Sequence, residues 1–344
     1  MLAAKSKRWL KKALVRSSIL PVAGRFFAPA AAILAYHSVV EEPQLTDYIL
    51  GSSRARAHFE RHMETLARKF SVVTVDEVAQ FAKSGRKLPP RAVAVTFDDG
   101  FADNYEVALP ILNRYGIPAT FYIMVDAVEN GTLPWYCRIR FAFNTTRKSE
   151  WTYQGTTYKL SSPAERQAAM PVAWDRGAAL AGAEQRAFVE GIERSLEIEP
   201  SHAQARHGLM MDWEQVRALK KAGHAIGGHT LSHPNVAQVS VEEARAEIAG
   251  CKRELEEKLG EPVEHFSYPH PALNPHWSSQ TLAITREAGF KSAVLTTFGA
   301  VRAGDEPLAL KRMYTPADLD QFTLNLQLAF RTKSSAVAGP AQAG

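Results

Sequence analysis

The sequence predicts an α/β protein in which about seven parallel strands alternate with helices, as a distorted (β/α) barrel or as an open wound sheet. Several of the predicted strands are apolar throughout, which is typical of strands buried on both faces. Helical segments with recognisable ends lie between them. The predicted strands lie at 33–36, 71–73, 93–97, 120–123, 224–226, 265–268 and 292–295. The pattern alone does not choose between the barrel and the open sheet.

Two helices between these strands have clear start signals. Asp103, followed three residues later by Glu106, predicts a capping box for a helix through Tyr115. Ser240 and Glu243 predict the same arrangement at the start of a longer amphipathic helix. Each helix is followed by a glycine, the residue that most often ends a helix.

One long segment breaks the alternation of strands and helices. Residues 128–210 are too many for an ordinary loop, so we expect an insertion folded over one end of the main domain. Residues 152–158 have the pattern of a hairpin, and 163–196 are rich in Ala and Glu and predict helices. The aromatic residues of the insertion either form a lid or substrate platform or, as we favour, pack into a small core of their own. Its tryptophans include Trp135, Trp151 and Trp174.

The charge of the chain is unevenly distributed. In total, 41 lysines and arginines stand against 36 acidic residues, a net charge of +5. The first 40 residues contain seven of the basic side chains and no acidic one, so the rest of the chain is slightly acidic. This distribution argues against a nucleic-acid-binding role for the whole protein.

The basic N-terminal segment, residues 1–31, has two interpretations. Trp9, Leu10 and Leu14 share one helical face opposite the cations, so residues 5–20 suit a helix lying on an anionic membrane surface. The alternative is a basic tail without fixed structure. Arginines and prolines interrupt the apolar stretch that follows, so we expect neither a signal peptide nor a spanning helix. A cytoplasmic or membrane-surface location is therefore favoured over secretion.

The remaining chain is expected to form one main domain over residues 32–320, including the insertion. Residues 321–344 are expected to contain the end of a C-terminal helix and a disordered tail. Cys137 and Cys251 are too few and too far apart for a disulfide framework or a metal knuckle.

Two adjacent carboxylates follow a predicted buried strand. Asp98 and Asp99 come directly after Phe97 and precede Gly100. Active-site groups of parallel α/β folds collect at this end of the strands. A turn is the alternative interpretation, because Asp-Asp-Gly is also an ordinary turn sequence.

A second cluster contains two histidines four residues apart. His229 and His233 have a spacing that allows both imidazoles to bind one metal ion. The Glu that follows the first histidine in metalloproteases is absent, since Thr230 stands there. The alternative is a pair of loop histidines before Pro234.

Together the two clusters provide two imidazoles, one carboxylate and a spare carboxylate. Three protein ligands with room for water are typical of a hydrolytic metal centre. A metal would lower the pKa of water from about 15.7 toward about 7, and the spare carboxylate could accept the proton.

The paired motifs, residues 96–100 and 229–233, resemble the first two motifs of the polysaccharide deacetylase family, which is carbohydrate esterase family 4. The similarity covers about 200 residues in two blocks, 33–127 and 209–315, with the insertion between them. Further similar segments are 34–37, 118–121 and 266–269. The resemblance implies a distorted (β/α) barrel and metal-dependent removal of acetyl groups from N-acetylated sugars.

The resemblance also implies roles for individual residues. Asp98 corresponds to the general base, and Asp99, His229 and His233 correspond to the metal ligands. Zinc is the expected metal, with cobalt, nickel or manganese as alternatives. The third motif of the family normally supplies an Arg that steadies the base and a backbone N–H for the oxyanion.

Two family features are altered in this chain. The third motif is Ser267-Tyr268-Pro269-His270, so its Arg is missing and Asp98 is expected to lack its usual orienting partner. Tyr268, Pro269 and His270 are assigned to the substrate and oxyanion position, where the backbone of His270 could donate. Loss of such a stabiliser costs about 10²- to 10³-fold in rate.

The second altered feature is the general acid. The His of the last family motif is absent, because no histidine follows His276 and the corresponding strand region is 308–313. His37, at the end of the first strand, is the leading substitute; the alternative is a histidine that binds backbone near the barrel mouth. The remaining histidines are interpreted as structural or surface residues: His58, His62, His202, His207, His224, His265 and His276.

The sequence therefore favours a metal-dependent N-deacetylase acting on a polysaccharide, oligosaccharide or lipid-linked glycan. An O-deacetylase would use the same centre. A sugar-binding relative that lost the general acid would bind such glycans without turnover, and a surface adaptor would work through its N-terminal segment instead. The partner expected is an acetylated glycan, with no nucleic acid.

Overall fold

The structure is a computed structural model that describes residues 29–43, 47–51, 53–198 and 208–330. Most of the basic N-terminal segment and the tail from residue 331 lie outside these residues, so the surface helix over 5–20 and the disordered tail remain predictions. No helix in the described ranges has the length and hydropathy needed to span a membrane.

Seven parallel strands close into a barrel. The strands of the described residues are β1 (Ala31–Tyr36), β2 (Val39–Val40), β3 (Arg54–Ala55), β4 (Ser71–Val72), β5 (Ala92–Phe97), β6 (Ala119–Ile123), β7 (Glu150–Tyr153), β8 (Thr156–Lys159), β9 (Ala225–Gly228), β10 (His265–Ser267), β11 (Ser292–Phe298) and β12 (Leu310–Tyr314). In the barrel, the hydrogen-bonded order is β1-β12-β11-β10-β9-β6-β5, and pairing of β5 with β1 closes the ring. This confirms the barrel over the open sheet.

Helices surround the barrel, and two predicted features of them are confirmed. Ser240 and Glu243 form the capping box of the longest helix, which ends at left-handed Gly260. The helices are α1 (Asp47–Leu50), α2 (Arg56–Lys69), α3 (Val75–Ser84), α4 (Leu109–Tyr115), α5 (Val125–Asn130), α6 (Trp135–Thr145), α7 (Pro163–Ala178), α8 (Gly182–Ser195), α9 (Trp213–Lys221), α10 (Val241–Leu259), α11 (Ser279–Glu287) and α12 (Leu319–Ala329).

The barrel interior is filled and closed at its amino end. Ile33, Ala94, Val294 and Leu310 pack inside it with side chains of α3, which covers that end. Alternate residues of each strand point inward. Because the interior is filled, the open end at the strands' carboxyl termini is the place for a site.

The long segment between β6 and β9 has its own apolar cluster. It contains α6, the antiparallel hairpin β7–β8, and helices α7 and α8, as the hairpin and helix patterns predicted. Trp151 is buried between Phe143 and two tyrosines of the hairpin. Trp135 belongs to the same cluster but lies where α6 begins, against the barrel.

Three predictions about the elements were wrong. The run 71–73 is not a barrel strand, because β4 pairs only with the start of β5. The seventh barrel strand is β12, which the apolar pattern did not indicate because Lys311 and Arg312 interrupt it, although the resemblance to the last family motif placed a strand at 308–313. Asp103 does not cap a helix with its side chain: a π-helical turn, Asn104–Ala108, follows it, and its carboxylate binds the loop after β1 instead.

Candidate active site

The predicted site residues meet at the carboxyl end of the barrel. Asp98 and Asp99 follow β5, and His229 follows β9. The inward-facing side chain of Arg312 reaches the same place from β12, which β1 separates from β5. These groups are almost completely buried.

Asp99, His229 and His233 form a compact group of potential metal ligands. The Nε2 atoms of His229 and His233 lie 3.3 and 3.4 Å from Oδ1 of Asp99. One ligand atom from each residue lies within 4.8 Å of the other two. Oδ1 of Asp99 has no hydrogen-bond partner among the described residues, although it is buried. A divalent cation bound by two imidazoles and a carboxylate would satisfy that oxygen, so the donor set fits such an ion.

Neighbouring groups hold the two imidazoles in place. Nδ1 of His229 lies 2.7 Å from the carbonyl oxygen of Ser267, which fixes the tautomer that leaves Nε2 free as a ligand. The indole N–H of Trp135 donates to the carbonyl oxygen of His233 over 2.9 Å. The inserted segment therefore helps to position this part of the barrel.

A buried glutamate on α10 supports the loop between the histidines. One carboxylate oxygen of Glu247 accepts hydrogen bonds from the backbone N–H groups of Leu231 and Ser232, at 2.9 and 2.8 Å. The other oxygen accepts from the Ser232 hydroxyl at 2.5 Å. Glu247 thus ties down the loop that carries both imidazoles.

The backbone around the ligands is strained. Asp99, Thr230 and His233 have φ values of 79°, 66° and 63°, in the left-handed region that side chains other than glycine rarely adopt. Strain of this kind persists only where surrounding contacts enforce it, and it concentrates at functional sites. The ligand loops are therefore held in one conformation by their surroundings.

Asp98 does have an orienting arginine, which corrects the expectation drawn from the third motif. Nη1 and Nη2 of Arg312 donate to Oδ1 and Oδ2 of Asp98 at 2.7 and 2.6 Å. Nε of Arg312 donates to the carbonyl oxygen of Leu295 at 3.0 Å, so the guanidinium is itself fixed. Arg312 comes from β12, 214 residues along the chain from Asp98. Arg312 therefore gives Asp98 the arginine contact that the sequence of residues 267–270 does not provide.

The charges of the site favour ionised carboxylates. Burial alone would raise the pKa of Asp98, but the Arg312 guanidinium holds it below its usual value. Burial also opposes ionisation of Asp99, yet the adjacent imidazoles of His229 and His233 hold its pKa well below the usual range. Burial lowers the pKa of His233, which favours the neutral imidazole that a metal requires. Asp98 is therefore available as a proton acceptor beside the ligand group.

His37 lies at the rim of the same site. Its Nε2 is 3.9 Å from Oδ2 of Asp98, and 47% of its side chain is exposed. Its loop is fixed by the π-helical turn after β5: the Asn104 side chain donates to the His37 carbonyl at 2.7 Å, and Asp103 accepts from Ser38 and Val39. His37 is thus placed between solvent and the buried acid pair.

The segment 268–270 has one backbone N–H that can serve the predicted oxyanion position. The Tyr268 side chain is buried, and its hydroxyl donates to Thr285, while its backbone N–H donates to Val294. Pro269 has no N–H. Of the three residues, only His270 can therefore offer a backbone N–H, and its ring stacks on His276 with 4.3 Å between centroids.

Tyr136 is a site residue that no sequence signal indicated. Its ring packs on His233, with 4.9 Å between the ring centroids. Its hydroxyl is buried without a hydrogen-bond partner in the described part of the chain. Burial and then the Asp99 charge raise the pKa of this hydroxyl well above its usual value, so it stays protonated.

A closed parallel barrel with acidic and imidazole groups at the carboxyl ends of its strands defines the general class, a barrel of the type that houses hydrolytic enzymes. Residues 85–293 match the family model described as polysaccharide deacetylase. The chain belongs to the polysaccharide deacetylase family, and it is a hydrolase of the carbohydrate esterase type by that membership.

Two relatives and one solved structure illustrate this similarity. YxkH of Bacillus subtilis, named as a polysaccharide deacetylase, is 32% identical over 282 residues, 82% of this chain and 70% of that protein. The poly-β-1,6-N-acetyl-D-glucosamine N-deacetylase of Staphylococcus aureus is 33% identical over 109 residues, 29% of this chain and 37% of that protein. The Streptococcus pyogenes deacetylase PplD shares the fold, with a TM-score of 0.58 and 19% identity over 87% of this chain and 99% of that one.

Proposed function

We propose that this protein is a metal-dependent N-deacetylase that removes acetyl groups from amino sugars of a polysaccharide, oligosaccharide or lipid-linked glycan. The observation that carries the proposal is the buried group of Asp99, His229 and His233 directly beside the ionised, arginine-bound Asp98. Family membership and the N-deacetylase named among the relatives support the same substrate class.

The metal is proposed to be zinc, with cobalt, nickel or manganese as alternatives, because two imidazoles and one carboxylate suit these ions. Asp99, His229 and His233 would hold the cation, which when bound would lower the pKa of water toward about 7 and polarise the acetyl carbonyl. Their buried position keeps bulk water away from the reacting groups.

Asp98 is proposed as the general base. Its two oxygens are fixed by Arg312, so the carboxylate can accept the proton of an attacking water without first reorienting. The positive charge of Arg312 favours the ionised form of Asp98 before the reaction. Its two hydrogen bonds keep the carboxyl group in position when Asp98 takes up the proton. The aspartate and the arginine therefore act as one unit.

His37 is proposed as the general acid. Protonated, it gives its proton to the sugar nitrogen as the bond between that nitrogen and the acetyl carbon breaks, so that a free amine and acetate leave. Its exposed position at the rim allows it to regain a proton from solvent. The His270 N–H is the proposed additional donor to the acetyl oxygen as negative charge develops there.

The test is acetate release from a panel of acetylated glycans, including oligomers of β-1,6- and β-1,4-linked N-acetylglucosamine, with each of the four metals. We expect release that needs added metal and is lost on Asp98→Asn substitution. Glu106→Gln, which removes an exposed carboxylate a few residues away, is the matched control and should stay active. Binding of glycans without release by the metal-loaded protein would instead show a non-catalytic relative.

A further inference from the structure

Two exposed aromatic side chains lie at the rim of the barrel above the proposed base. Phe298 ends β11 and is 55% exposed, and Tyr314 ends β12 and is 56% exposed. Among the described residues, the other large apolar side chain of comparable exposure is Leu328, at 46%. Two of the three thus lie side by side on neighbouring strands at the mouth of the site.

The strand register places both aromatic residues on the face that carries Arg312. Residues two apart on a strand share a face, so Leu310, Arg312 and Tyr314 form one inward-facing row on β12. Phe298 pairs with Arg312 across the two strands, after an irregularity in the pairing between Val294 and Phe298, which puts Phe298 on the same face and at the level of Arg312. Leu310 fills the barrel interior and Arg312 binds Asp98, so Tyr314, the next residue of the β12 row, lies one step nearer the opening.

His37 belongs to the same rim. Tyr314 pairs with Ala35 of β1, and His37 follows the end of β1, two residues beyond Ala35 and on the same face. The proposed acid and the two aromatic residues therefore border one opening, at the bottom of which Asp98 lies.

The strand ends that carry the two aromatic residues are rigid. The N–H of Gly299, next to Phe298, donates to the carbonyl oxygen of Arg312 at 3.2 Å. The residue after Tyr314, Thr315, donates to Ala35 at 3.4 Å and accepts a hydrogen bond from Arg54. A ligand that binds to residues on such fixed strand ends has little backbone left to order.

We propose that Phe298 and Tyr314 form a platform that binds a pyranose ring of the glycan next to the sugar being deacetylated. One face of a pyranose ring presents C–H groups, and an aromatic ring lying on it removes apolar surface of both from water. The inference rests on the proposed function, because the occupant is the glycan whose acetyl group reaches Asp98. It predicts a preference for oligomers over single sugars.

The experiment compares Phe298→Ala and Tyr314→Ala with the matched control Leu328→Ala. Leu328 lies near the end of α12, where Phe330 packs on Phe70 at the amino end of the barrel, far from the opening. KM and kcat are measured with the pentamer of β-1,4-linked N-acetylglucosamine and with the single sugar. Affinity for the pentamer is also measured by calorimetry in the Asp98→Asn background, with folding checked by circular dichroism.

We expect each platform substitution to weaken pentamer binding and raise KM about tenfold, equivalent to about 1.4 kcal/mol, with kcat and single-sugar rates unchanged. Tyr314→Phe should behave as wild type, and so should Leu328→Ala. Unchanged pentamer affinity and KM in both alanine variants overturns the platform, as does an equal effect on both substrates. If the wild type releases no acetate from any glycan, the proposed function is wrong. The calorimetric affinities still test the platform in that case, because they do not depend on turnover.

Discussion

Replacing Arg312 by Met should destabilise the protein and impair the proposed base at the same time. The guanidinium makes two charge-assisted hydrogen bonds to Asp98, of 2.7 and 2.6 Å, and both residues are almost fully buried. Removing one partner of a buried pair leaves the other charge uncompensated, at a cost of about 3–5 kcal/mol. The additional loss of the bond to Leu295 favours the upper part of that range. Urea unfolding measures the free energy directly.

A double-mutant cycle measures the interaction energy between Asp98 and Arg312 separately from their contacts with other residues. Asp98→Asn and Arg312→Met together leave no unpaired charge, so the double variant should be more stable than the sum of the two single losses implies, by about 3 kcal/mol. Arg312→Lys keeps the charge but not the paired geometry and should be intermediate. Additive losses, or an Arg312→Met loss below about 1 kcal/mol, would contradict a strong buried ion pair.

Arg312→Met should also change how stability and activity depend on pH, in a direction that the pKa of Asp98 determines. In the wild type, burial would raise the pKa of Asp98, but Arg312 outweighs burial and the pKa is lowered. This contributes stability above the pKa of an unfolded Asp, and the contribution is lost as the pH falls through the folded value. Without Arg312, burial is opposed only by the charges of His229 and His37, so the pKa of Asp98 should rise and the acidic limb of the activity profile should move to higher pH. A limb that stays in place would show that Asp98 is not the titrating base.

Three further outcomes are expected at neighbouring positions. Glu247→Ala should weaken metal binding about 10- to 100-fold, as measured by competition with a chelating dye. Glu247→Gln should keep most of the metal affinity, because its amide oxygen can still accept hydrogen bonds from the loop N–H groups, and equal affinities of the two variants would contradict the role of Glu247 in holding the loop. Tyr136→Phe should keep the fold but raise the metal dissociation constant about tenfold, because a buried O–H beside Asp99 is lost. If the cobalt form of this variant has the visible spectrum and the cobalt affinity of the wild type, Tyr136 does not support the metal site. His37→Gln should lower kcat about 10²- to 10⁴-fold while metal binding stays unchanged. A wild-type kcat would exclude His37 as the acid.

The sequence was sufficient to predict those site residues that lie close together along the chain. Asp98 and Asp99 lie together because a buried strand ends beside them, and His229 and His233 share one loop, so short motifs locate both. The barrel was expected from apolar strands and helix boundaries. The apolar pattern did not indicate β12, because two cationic residues occupy the middle of that strand.

The rest of the site depends on contacts between distant parts of the chain. The Arg312 pair joins β12 to β5, and only barrel closure brings these strands to one opening. Tyr136 comes from the inserted segment, whose docking on the His233 loop has no local sequence signal. Asp103 has the residue type and spacing of a helix cap, but the loop after β1 offers its carboxylate better donors.

The most direct measurement of metal-dependent deacetylation is acetate release as a function of metal added to chelator-treated protein. Release should be absent without metal, rise in proportion to added zinc or cobalt, and reach its maximum at one ion per chain. Substitution of Asp99, His229 or His233 should abolish the rise together with the binding of the ion. Full acetate release by protein shown to contain no metal would contradict the mechanism.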